Sequence, residues 1–207
     1  AGIGGAGVAI RLLEEHGAAG ADPLGPENPI VLSVGPLVGL FPLASKTVAM
    51  FRSPHTGNLG ESHAGGRSAA AIRLAGYGAI VITGASERPT YVVVDGDRVA
   101  FRDATALWGL RSSATVGRVL RERESGSGHR SILRIGPAGE RQVTYAGVIT
   151  ETYRHFGRLG LGAVFGSKKL KALVIAGQRS LPVADPVAYR RAYDGLRPGG
   201  RLLLKDM

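Results

Sequence analysis

The sequence predicts an α+β chain built from two similar halves, related by a pseudo-twofold. Two observations carry that expectation. First, short apolar, β-branched runs end at Gly or Gly-Pro and are separated by short helical patterns, the signature of buried strands alternating with helices. Second, Gly78–Gly84 (GAIVITG) matches Lys171–Gly177 (KALVIAG) at an offset of 93 residues, which also carries Pro89 onto Pro182. Gly35-Pro36 precedes the first copy and Gly136-Pro137 the second, and Gly-rich turns lie between (Gly65-Gly66; Gly157, Gly160 and Gly162). Each half then holds a strand, a Gly-rich turn, a short helix and a buried strand. A pseudo-twofold would bring both turns to one face, suited to a ligand with two similar ends.

The elements follow in order. Gly2–Gly7 is a glycine-rich lead into a helix over 9–16, a form that can hold an anion on free backbone N–H groups. Asp22–Pro29 is a loop fixed by prolines. Ile30–Val34 and Thr47–Phe51 read as strands, with the loop Ser53–Asn58 after the second. Residues 65–74 read as an alanine-rich helix and Ala79–Thr83 as a strand. Thr90–Val94 and Arg98–Arg102 form a hairpin across Asp95-Gly96-Asp97. Residues 114–122 read as an amphipathic helix, with a loop at Ser125–Gly128. Ser131–Ile135 is a strand and residues 142–149 another. A short helix over 161–167 leads to the strand Lys171–Ala176. The final helix, Pro186–Leu196, is broken by Pro198-Gly199-Gly200.

Composition limits the function classes. The chain has 207 residues and a formal charge of +10, from 26 Lys and Arg against 16 Asp and Glu. That excess favours an anionic partner, and singly spaced arginines suit a few bidentate anion contacts. Nucleic acid is a poor candidate: the basic residues form no dense block, and aromatics are 6% of the chain and unclustered. The cysteine count is zero, so the chain itself forms no disulfide and holds no Cys-ligated iron–sulfur cluster. No apolar run approaches the roughly 20 residues of a membrane span. No signal peptide is visible, which points to the cytoplasm.

Several segments, in order, resemble the N-terminal domain of the tungsten-containing aldehyde ferredoxin oxidoreductases. They are Asp22–Pro29 (DPLGPENP), Gly35-Pro36-Leu37, Arg52–Gly57 (RSPHTG), Ala75–Ile80 (AGYGAI), Asp103-Ala104 with Leu107-Trp108-Gly109, Ile135–Glu140 (IGPAGE) and Gly157–Ala172 (GRLGLGAVFGSKKLKA). The resemblance implies two related β-rich halves forming a base for a bis-pterin metal cofactor. The metal is tungsten, with molybdenum as the alternative, and magnesium links the two pterin phosphates. It implies a tungstopterin-binding domain over 1–182, with repeats at about 30–100 and 131–182, and 183–207 as a loose tail or the start of the next domain.

The implied activity is oxidation of aldehydes to carboxylates, with ferredoxin as electron acceptor. A 4Fe–4S cluster and the acid–base groups would lie outside this chain, on further domains or a separate subunit, and the complete enzyme could be a homodimer. The alternative is a non-catalytic relative that binds a pterin or phosphate, or serves as a scaffold. The β-hairpin with which the family begins has no counterpart here, so the first sheet is expected to expose an edge.

The resemblance also nominates cofactor-binding residues: Lys46, Ser62, His63, Ala64, Gly65 and Gly66 in the first half, and Arg154, Gly157, Arg158, Gly160, Leu161, Gly162 and Ala163 in the second. His63 and Ala163 would offer backbone carbonyls to magnesium. The chain departs from the family at Lys46 (usually Arg), Val38 (Thr), His63 (Asn), and at His155 and Phe156, where small residues are usual and bulky ones could crowd the cofactor. Lys168, Lys169 and Lys171 read as a solvated basic face and Trp108 as packing. Glu61, Glu140 and Glu151 form no readable acid–base pair, and no catalytic residue is nominated.

Overall fold

A computed structural model describes residues 3–17, 20–126, 128–151 and 153–205, the side chains of 197–205 excepted. Gly2 and Ser127, part of two expected loops, lie outside the described residues. The chain folds into two β-sheets with helices between and outside them. The first sheet holds β1 (Ile30–Val34), β2 (Thr47–Arg52), β3 (Leu59–Ala64) and β4 (Ala79–Ile82) in the order β3-β2-β1-β4, with every pair antiparallel. The second holds β5 (Thr90–Asp95), β6 (Arg98–Asp103), β7 (His129–Arg134), β8 (Val148–Thr150), β9 (Arg154–Phe156) and β10 (Leu170–Gly177), in the order β6-β5-β10-β7-β8-β9.

Four strands of each sheet share one connectivity. In β9-β8-β7-β10, as in β3-β2-β1-β4, the first strand in sequence pairs with the second and the fourth, and the third lies outermost. A helix joins the third strand to the fourth in both: α2 (Arg67–Ala75) in one and α5 (Leu161–Ser167) in the other. The repeated stretches of the sequence are the fourth strands, β4 and β10. The β5–β6 hairpin extends the second sheet by pairing β5 parallel to β10.

The main core lies between the sheets. Ile30, Leu32 and Phe51 face Leu133, Phe165, Leu173 and Ile175, with Ile72 of α2 among them. Helix α3 (Ser113–Arg123) covers the outer face of the second sheet through Val116 and Leu120, and α1 (Ala6–His16) covers the outer face of the first through Ala9. Ser112 caps α3 by accepting the Thr115 N–H at 3.3 Å. Gly177 must be glycine, because a Cβ there would run into the backbone of Leu74 and Ala75.

The structure corrects the sequence reading in several places. Ser62, His63 and Ala64 lie on a strand. Leu59–Ala64 lacks a β-branched run but pairs along its whole length with β2, and Gly60 makes room for the Phe51 ring, whose Cε2 would lie 2.8 Å from a Cβ. The strand expected over 142–149 begins only at Val148. Residues 142–147 form turns, with Gln142 at φ 57° and the Gln142 and Val143 amides bonded to Gly139 O and Ala138 O. A short helix, α4 (Pro137–Glu140), precedes them. The last helix, α6 (Pro186–Lys205), continues through Pro198. Proline's fixed φ is helical, so it removes one backbone bond without forcing an end.

The three lysines are not one solvated face, because Lys168 and Lys171 are 3% and 0% exposed. The Lys171 ammonium pairs with the Glu140 carboxylate and lies 6.0 Å from the centre of the Trp108 ring. Glu140 also accepts the Gly109 N–H at 2.9 Å. Lys168 donates to Pro26 O at 2.9 Å and Gly84 O at 2.8 Å, tying the end of α5 to two loops of the first half. Burial holds its pKa down to about 8.

Candidate functional site: two glycine turns meeting at the sheet edges

The candidate residues of the two halves lie side by side. Strands β3 and β9, the outermost strands of their sheets, are in contact. Backbone and side chains stitch the turns that follow them. The Arg158 N–H donates to Ser62 Oγ at 3.3 Å, and Ser53 Oγ donates to Leu159 O at 2.8 Å. The Cγ of Arg154 lies 3.2 Å from where a Cβ on Gly66 would stand. Gly66 has φ 95°, a conformation that favours glycine, and it leads directly into α2.

Burial divides the candidates. Lys46, His63, Gly66, Arg154, Gly157 and Arg158 are exposed and Gly65 is half-buried, with open space where its Cβ would be. Lys46 directly precedes Thr47, which pairs with Ala64, so it lies beside the Gly65-Gly66 turn. Among the described residues, none of Lys46, Arg154 and Arg158 has a salt-bridge partner. The turns therefore present free cationic groups next to open backbone. The His63 ring lies 2.7 Å from Glu61 Oε1, so its nearest partner is a carboxylate on the same strand.

The remaining candidates are buried. Ser62 and Ala64 are buried under β3, and Gly160, Leu161, Gly162 and Ala163 are buried in the first turn of α5 and just before it. The Gly162 N–H goes to Ala146 O at 2.8 Å and the Ala163 N–H to Gly160 O at 2.9 Å. Side chains at Gly160 or Gly162 would collide with the backbone of the 144–147 turn. These glycines serve close packing of α5. Phe156 does not crowd the surface either. It points into the main core with no exposure, while His155, its exposed neighbour on β9, points the other way.

Arg52 and Ser53, part of the RSPHTG motif but not nominated above as site residues, support the site. Arg52 Nε donates to Gly57 O at 3.0 Å and Ser53 Oγ accepts the His55 and Thr56 amides, which fixes the loop beneath Leu159. The signals that point to them are the RSPHTG motif itself and the Ser-type turn of Ser-Pro-His-Thr. Among the described residues, no three His, Cys, Asp or Glu side chains are grouped to hold a metal ion. The donor set fits an anionic organic group instead: arginine forks, a lysine and unencumbered glycine backbone, as phosphates require.

Fold and site together define a platform domain, two sheets whose glycine turns meet under a cluster of cationic side chains. The sequence model for the aldehyde ferredoxin oxidoreductase N-terminal domain matches residues 1–177, and the chain belongs to that family. It is 41% identical over 184 residues to a tungsten-containing aldehyde ferredoxin oxidoreductase of Thermococcus kodakarensis, covering 88% of this chain and 30% of the relative. A Pyrococcus furiosus protein named an aliphatic sulfonate oxidoreductase, WOR-like subunit, is 33% identical over 171 residues, covering 78% of this chain and 27% of the relative.

Among solved structures, a chain of the active-site complex BamBC of benzoyl coenzyme A reductase, in complex with 1,5-dienoyl-CoA, matches with a TM-score of 0.88 and 30% identity, covering 94% of this chain and 30% of that one. The chain thus spans under a third of the length of these relatives. No helix among the described residues is long and apolar enough to cross a membrane.

Proposed function

We propose that this domain is the cofactor base of a tungsten-dependent oxidoreductase that converts aldehydes to carboxylates and passes electrons to ferredoxin. The observation that supports it is that Arg154, Arg158 and Lys46, without ion-pair partners among the described residues, lie at adjacent glycine turns from two halves of like connectivity. The two halves are related by a pseudo-twofold, matching the two similar ends of a bis-pterin group. When bound, that group supplies the two-electron redox chemistry. Arg154 and Arg158 hold its phosphates, Lys46 adds a point charge, and Gly65-Gly66 lets the backbone approach. Ser62 fixes the Arg158 backbone.

Magnesium, if bound, would take a protein oxygen from His63 rather than from Ala163, which is enclosed in α5. The 4Fe–4S cluster and the proton-transfer groups belong to the further domains of the enzyme, which operates in the cytoplasm. Molybdenum in place of tungsten uses the same contacts. The cofactor domain runs over 1–182, and α6 starts the connection to the next domain.

The test is metal and pterin content of the complete enzyme purified from tungstate-supplied anaerobic cells, wild type against Arg154→Ala and Arg158→Ala. Stoichiometric tungsten and pterin in the wild type, with loss of most of both in the variants at unchanged melting temperature, supports the reading. Full retention in both variants, or a wild type free of both, rejects it.

A further inference from the structure

The outer face of the second sheet carries a basic cleft far in sequence from the glycine turns. Helix α3 covers that face only in part. Beyond its last residue, Arg123, the sheet surface of β5, β6 and β10 forms a cleft of about 220 Å³. Its floor is apolar: Val93, Ala100, Val174 and Ala176. Its rim is cationic: Arg98 and Arg102 rise from β6 and Arg123 from the end of α3. Arg98 and Arg102 each lie two residues from Ala100, one on either side, so strand alternation sends both to this face.

The two carboxylates in the cleft are already engaged. Asp95 Oδ2 lies 3.4 Å from Arg98 Nη2, and Glu124 Oε1 accepts the Tyr91 hydroxyl at 2.6 Å. Among the described residues, neither Arg102 nor Arg123 has a salt-bridge partner. Arg102 is the cross-strand partner of Tyr91, and Arg123 directly precedes Glu124, whose carboxylate accepts the Tyr91 hydroxyl, so two different elements bring a guanidinium group to this one cleft. A carboxylate can bridge two such forks while an apolar body lies on the valine–alanine floor. A bare inorganic anion would leave that floor wet.

We propose that this cleft binds a small organic carboxylate, with Arg102 and Arg123 holding the carboxylate and Val93, Ala100 and Val174 its apolar part. The proposal does not rest on the cofactor reading, because the cleft shares no residue with the glycine turns.

The test is calorimetric titration of the complete enzyme with benzoate, with its neutral isostere benzamide and with inorganic phosphate, on wild type, Arg102→Ala, Arg123→Ala and the control Arg88→Ala. Arg88 is exposed and outside the cleft. The expected result is saturable benzoate binding to wild type and Arg88→Ala, weakened about tenfold or more in each of the other variants, as loss of one charged hydrogen-bonding partner requires. Benzamide and phosphate should bind far more weakly. Benzoate affinity unchanged in Arg102→Ala and Arg123→Ala would place its binding elsewhere and overturn the proposal. So would the absence of wild-type binding, or equal binding of benzamide or phosphate. All three substituted side chains are exposed, and unchanged melting temperatures confirm that the variants fold.

Discussion

Replacing Phe156 with Ala tests where the bulk of the β9 segment is spent. The ring is fully buried between the sheets, in the core that includes Val148, Leu161 and Phe165. Its strand is three residues long and is hydrogen-bonded on one side, to β8. Little can collapse around the hole, since the 144–147 turn and α5 already meet backbone to backbone. Truncating a buried Phe costs about 3–5 kcal/mol. For a chain of this size that lowers the melting temperature by roughly 6–20 °C, a large share of the ~5–15 kcal/mol that holds a domain folded. Phe156→Leu keeps most of the volume and should lose about 1.5 kcal/mol or less. His155→Ala, on the exposed face of the same strand, should stay within about 0.5 kcal/mol. The assay is urea denaturation of the three variants followed by circular dichroism. If His155→Ala costs as much as Phe156→Ala, or if Phe156→Ala costs under about 1 kcal/mol, the assignment of Phe156 to the core is wrong.

Other perturbations give equally definite outcomes. Lys168 has its folded pKa depressed to about 8 by burial, below the usual lysine value. The unfolded chain therefore binds the extra proton between about pH 8 and 10, and stability should rise with pH across that window. Comparing wild type with Lys168→Met isolates the effect, up to roughly 3 kcal/mol over the full shift, and an identical pH profile for the two would refute it. The window closes near pH 10, where the unfolded lysine loses its own proton; above that pH Tyr91, pushed up to about 12 by burial and its bond to Glu124, lowers stability as the pH rises. Gly166→Ala should yield insoluble or unfolded protein, because the new methyl would overlap Gly139 O where α5 crosses α4; a soluble variant with wild-type melting would contradict that contact. Glu140→Ala should destabilise by about 3 kcal/mol or more in thermal unfolding, since it strands the fully buried Lys171 ammonium.

The sequence by itself determined the strongly patterned elements. The runs Ile30–Val34, Ala79–Ile82 and Leu170–Gly177 are apolar because they are buried or flanked by helices, and the Asp-Gly turn sets the β5–β6 hairpin. The repeat of seven residues marked the two fourth strands, and the ordered motifs pointed to the family and to both glycine turns. What the tertiary structure decided concerns partners remote along the chain. Strand β3 exists because β2 offers it a full ladder, although its own residues have poor strand propensity. Lys168 and Lys171 look like surface lysines until Pro26 O, Gly84 O and Glu140 close over them. Which candidates are exposed and which are buried was likewise invisible locally. Gly65 is half-buried with open space at its Cβ position and Gly66 is exposed, while Gly160 and Gly162 are glycine because the 144–147 turn presses on them. A glycine's sequence records that space is needed there; only the fold says whether a ligand or another backbone takes it.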